Sequence, residues 1–97
     1  MSDKLLVRGV TAPSNAEVVS TSEFETLAFD QISQISLDLS FSKDAEEILE
    51  GMSDMLELMK AILEAKNIAA LNLFTTAEKL RQEEGTFSDK KAVIQEQ

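Results

Sequence analysis

Glu47, Glu50, Asp54 and Glu57 follow one another at spacings of three, four and three. At about 100° per residue that spacing lines four carboxylates along one face of a helix, each within reach of the next. Like charges so placed repel unless water or a cation separates them, so the face either lies in solvent or binds something cationic. The chain has no Cys and no His. Cysteine nucleophiles, Ser-His triads, disulfides and the usual zinc ligand sets are therefore excluded, and the oxygen ligands that remain suit Mg²⁺, Mn²⁺ or Ca²⁺.

The element that must carry these acids spans Asp44 to Lys66. Ile48, Met52, Met55, Met59, Ile62 and Leu63 fall on a second stripe of the same segment, which is the helical period and predicts an amphipathic helix with its acids roughly opposite its methionines. The methionines read as core filler. Ser42 or Asp44 can cap its start, and Asn67 suits a left-handed C-terminal cap. Gly51 interrupts its interior at a cost of about 1 kcal/mol relative to alanine, which calls for a packing or ancestral reason.

Upstream, Ser22 with Glu25 offers a capping box for a helix reaching Ser40, with Phe24, Ala28, Ile32, Ile35 and Leu39 on its buried face. The short link from Ser40 to Lys43 predicts that this helix and the next pack antiparallel. A third helix from Ala69 to Glu84 would place Leu71, Phe74, Ala77 and Leu80 inside, and Gly85 would stop it. Residues 4–10 are apolar enough for a short strand or extended arm ahead of a loop at Pro13, so residues 1–20 form an arm and loop. Residues 86–97 form a tail in which Ala92, Val93 and Ile94 pack back. The expected fold is an all-α antiparallel bundle of about three main helices plus that arm, a single domain over 1–97. A helical chain of 97 residues often completes its core by association, here as a homodimer with a four-helix-bundle-type core or as a dimer of dimers.

A hydrophobic content of 43% with 28% charged residues fits a folded chain. The net charge of −9 repels phosphate backbones and anionic lipid, so no nucleic acid polymer and no membrane are expected as partners. A nucleoside phosphate stays accessible where a divalent cation bridges the two anions. Without an apolar run long enough for a membrane span or a signal peptide core, the sequence reads as cytoplasmic.

In order along the chain, several segments resemble the MazG-like and phosphoribosyl-ATP pyrophosphohydrolase-like family of all-α nucleotide pyrophosphohydrolases. Leu6-Val7-Arg8 resembles the family's opening Leu-Val-Arg, Phe24 with the helix through Leu39 resembles its first ligand helix, and Leu49 to Leu58 resembles its Glu-Glu-Leu-Ala-Asp-Val-Leu-Glu segment. Asn67-Ile68 stands where the family has Gly-Ile, and Glu83-Glu84-Gly85-Thr86-Phe87 where it has an Arg-Gly-Gly-Phe ending. The resemblance implies hydrolysis of a nucleoside triphosphate to monophosphate and pyrophosphate, with Mg²⁺ or Mn²⁺ as cofactor held by an E-x-x-E on one helix and an E-x-x-D on the next. Carried onto this chain, it implies Asp38, Asp54 and Glu57 as metal ligands, with Glu47 and Glu50 as weaker candidates. Arg8, Lys79 and Arg81 are the basic side chains that could meet phosphates, or else lie solvated.

The sequence departs from that pattern at the ligands themselves. The first motif aligns with Ile35-Ser36-Leu37-Asp38, its leading Glu replaced by Ile35, and the second with Gly51-Met52-Ser53-Asp54, its Glu replaced by Gly51. Two functions of different class follow. One is a Mg²⁺-dependent nucleoside triphosphate pyrophosphohydrolase, weakened or inactive; the other is a degenerate scaffold that works as a binding or structural partner.

Overall fold

In a computed structural model, residues 4–95 are described, and their regular elements are all helices, with no strand among them. The elements are α1 (Thr21–Ser40), α2 (Ala45–Ala65) and α3 (Leu71–Glu84). α1 is capped two residues ahead of the expected box, by Ser20 in place of Ser22. Ser20, in extended conformation, accepts a hydrogen bond through its hydroxyl from the Glu23 backbone N–H, which satisfies one of the orphan donors of the first turn. Asp44 does the same for α2 by accepting from the Glu46 N–H, with Glu46 and Glu47 adding negative charge at the positive end of the helix.

α2 ends in a Schellman motif. Asn67 takes the left-handed conformation, φ 62°, while the Ile68 N–H bonds the Leu63 carbonyl at 2.9 Å and the Asn67 N–H bonds the Glu64 carbonyl at 3.0 Å. α3 begins at Leu71, two residues later than the spacing suggested, and stops at Gly85 with φ 90°.

α1 and α2 pack antiparallel. Glu25 near the start of α1 pairs with Lys66 just past the end of α2 at 3.2 Å, and Leu39 near the end of α1 lies over Gly51 near the start of α2. A Cβ on Gly51 would fall 2.7 Å from both δ-carbons of Leu39, so the glycine has a packing reason: it lets α1 approach. The stripe that α2 turns toward α1 is accordingly Ile48, Gly51, Met55, Leu58 and Ile62, all covered in part or fully.

This corrects the single methionine stripe read from the sequence. Met52 is 55% exposed and Met59 38%, because they sit on a separate face of α2, roughly 100° round from the one that meets α1. Among the described residues the buried core is small: Leu27 and Ala28 of α1 with Ile62 of α2. α3 makes little contact with either helix, and Leu71, Phe74 and Leu80, expected inside, are exposed. Val93 and Ile94 are exposed as well, so the tail does not pack back, and the arm at residues 4–8 is extended without forming a strand. No helix of the described residues is long and apolar enough to cross a membrane.

Candidate functional site

The arm crosses the α1–α2 pair and is held at three points. Lys4 donates to Glu23 at 2.7 Å. The Gln31 side-chain amide clamps the Leu6 backbone from both sides, accepting from its N–H at 3.0 Å and donating to its carbonyl at 3.2 Å. Arg8 donates to Asp54 of α2 at 2.6 Å. An extended segment has unpaired backbone donors and acceptors, and a primary amide, with its acceptor oxygen and donor nitrogen side by side, can meet one of each at a single residue.

Beneath the arm lies a groove of about 580 Å³, within the range of small-molecule sites. Leu6 to Thr11 form one wall, Phe24 and Gln31 of α1 a second, and Asp54, Glu57, Leu58 and Ala61 of α2 the third. The groove's charges are one guanidinium against two carboxylates. The hydrogen bond that Arg8 donates to Asp54 and then the charge of Asp54, with a smaller contribution from Glu57, raise Arg8 above its ordinary pKa. The hydrogen bond that Lys4 donates to Glu23 and the charge of Glu23 likewise raise Lys4. Both contacts are solvent-exposed, so salt screens them.

The structure therefore brings Arg8, Asp54 and Glu57 to one groove, and it leaves the other candidates elsewhere. Asp38 accepts from Gln34 on its own helix at 3.0 Å and does not line the groove. Glu47 takes a 3.4 Å hydrogen bond from Ser42, and Glu50 is exposed. Arg81 pairs with Glu78 one turn away at 3.3 Å, and Lys79 is exposed on the same helix, α3. Glu57 itself pairs with Lys60 at 3.0 Å.

Among the described residues, no group of three or more Asp or Glu side chains stands close enough to hold a metal ion. Within this chain the side chains do not fit a Mg²⁺ ion: Asp38, Asp54 and Glu57 each bond another side chain, and Arg8 supplies to Asp54 the positive charge a cation would bring. Ile35 and Gly51, where the resembled pattern has glutamates, serve packing instead. Ile35 is half-buried, and the space beside Gly51 is filled by Leu39. Gln31 and Phe24 were not read from the sequence as site residues. The signal for Gln31 was present: it stands between Ala28 and Ile35 at spacings of three and four, a polar group within an apolar seam that needs a polar partner.

Compared with models of known protein families, with characterised proteins and with solved structures, the chain matches none.

Proposed function

We propose that this chain is a helical binding module that acts by having its apolar faces covered by another protein surface. One observation carries the reading. The accessible surface is 8464 Å², where a folded monomer of 10.7 kDa exposes about 5,500 Å². The Cα radius of gyration, 16.1 Å, likewise exceeds the roughly 12.5 Å of a closed domain of this length. Extended termini contribute to the excess, and so do exposed apolar side chains of α2 and α3, Leu49, Met52, Leu71, Phe74 and Leu80 among them; apolar side chains left open together mark an interaction site. Supporting it, Leu39 occupies the space beside Gly51 that a ligand glutamate would need.

The second reading, a Mg²⁺-dependent nucleoside triphosphate pyrophosphohydrolase, is favoured by the groove that holds Arg8, Asp54 and Glu57. A panel of nucleoside triphosphates incubated with the full chain and Mg²⁺ or Mn²⁺ separates the two. The binding-module reading expects no pyrophosphate above background and a melting midpoint unmoved by millimolar metal. Release of pyrophosphate that disappears in Asp54→Asn would replace it with the enzymatic reading.

A further inference from the structure

On α2, Leu49, Met52, Leu56, Met59 and Leu63 recur at spacings of three, four, three and four. That is the heptad spacing of a coiled-coil seam. Ile48, Gly51, Met55, Leu58 and Ile62 repeat the same spacing and are already used against α1. One helix thus carries two seams about 100° apart, as a helix in a four-helix bundle does when it touches two neighbours. Much of the second seam is left open: Leu49 is 66% exposed, Met52 55% and Met59 38%, while Leu56 and Leu63 are partly covered.

Deepening the binding-module reading, on which this step rests, we propose that the partner is a second copy of this chain, docked antiparallel along the second seam of α2 about a twofold axis. The charges beside the seam choose both the occupant and the direction. Its outer flank is Glu46, Ser53 and Lys60, seven residues apart, and its inner flank is the apolar seam against α1. Antiparallel docking sets Leu49 against Met59 of the other copy and Met52 against Leu56. It then brings Glu46 of each copy to Lys60 of the other, twice across the axis, and Ser53 close to its own mate. The flank is therefore self-complementary, which an isologous interface requires. Parallel docking would leave Glu46 and Lys60 facing apolar neighbours. Lys60 is half-buried and bonds Glu57 on its own helix at 3.0 Å, so its ammonium, with three donors, keeps one partner while gaining another. A stable interface covers about 800 Å² per partner, well inside the excess surface of this chain.

The groove under the arm opens on the other side of α2, which keeps the two surfaces separately testable. Sedimentation equilibrium of the full chain should show a dimer. Met52→Glu with Met59→Glu, both at exposed positions, should keep its helical circular dichroism and raise the dimer dissociation constant about a hundredfold or more. Glu46→Lys and Lys60→Glu should each weaken self-association about tenfold, and mixing the two variants should restore it, because one chain then carries two lysines on the flank and the other two glutamates. With no native cysteine, Ser53→Cys should crosslink to its own copy. Glu46→Cys should crosslink to Lys60→Cys and not to itself. A monomer throughout the accessible concentration range would overturn the second copy as occupant, and Glu46→Cys crosslinking to itself would overturn the antiparallel direction. Neither result depends on nucleotide turnover, which tests the underlying reading by itself.

Discussion

Gly51 and Leu39 show how a single contact can oppose a local preference. In an isolated helix Gly51→Ala would add about 1 kcal/mol of stability. Here the new methyl meets both δ-carbons and the γ-carbon of Leu39 within 3 Å, and such overpacking costs typically 1–3 kcal/mol. The substitution should therefore leave stability unchanged or lower it, by up to about 2 kcal/mol. In the background of Leu39→Ala, where the obstruction is gone, the same change should stabilise by roughly 1 kcal/mol. Urea denaturation of the four chains of that double-mutant cycle measures the coupling, and equal effects of Gly51→Ala in both backgrounds would show that the helices do not meet there. At the arm, the contact with Glu23 raises the pKa of Lys4, so the folded chain holds that proton to higher pH than the unfolded one. The contribution is fully present below the ordinary lysine value of about 10.4 and is lost as pH rises through the raised one. Arm docking, read from amide exchange at Leu6 or from protease cleavage between residues 8 and 12, should thus be indifferent to pH near neutrality and loosen with added salt.

At the scale of elements, the three helices were legible because helix starts and stops are local chemistry. A hydroxyl or carboxylate ahead of an apolar period, and Asn67 and Gly85 behind it, announce themselves within a few residues. Asn67 gives a direct check. With φ at 62°, Asn67→Gly should be neutral or slightly stabilising, whereas Asn67→Ala should cost about 1 kcal/mol, since alanine keeps the strained β-carbon but loses the short polar side chain whose local hydrogen bonding makes the left-handed conformation tolerable. Equal melting midpoints for the two variants would mean that the Schellman end of α2 does not form in solution. What the sequence did not reveal is which apolar face meets which neighbour. Ile48, Met52, Met55, Met59, Ile62 and Leu63 look like one broad stripe on a helical wheel, and only the position of α1 divides them into a used seam and an open one. The acids suffered likewise. Asp54 and Glu57 are brought to one groove by their spacing on a single helix, but whether Asp38 joins them depends on the rotation of α1, which no local pattern encodes. Nor could spacing foretell that Arg8, 46 residues upstream, would be carried by an extended arm onto Asp54 at 2.6 Å.

For the whole molecule, stability must depend on what covers it. Among the described residues three apolar side chains are buried, too few to offset the conformational entropy of ordering three helices, each residue of which costs about 1–2 kcal/mol. Helices of 14 to 21 residues are also marginal in water without tertiary packing. If the open seam of α2 is closed by a second copy, folding and association are linked, and the melting midpoint must rise with protein concentration. For a folded dimer that dissociates as it unfolds, each tenfold increase in concentration adds about 1.4 kcal/mol per dimer. That is several degrees for chains of this size. Calorimetry or circular dichroism melts across two decades of concentration should show this slope, and Met52→Glu with Met59→Glu should flatten it while lowering the midpoint. A midpoint independent of concentration in the unaltered chain would mean that α1 and α2 hold together alone, and that the surface left open on α2 contributes nothing to folding.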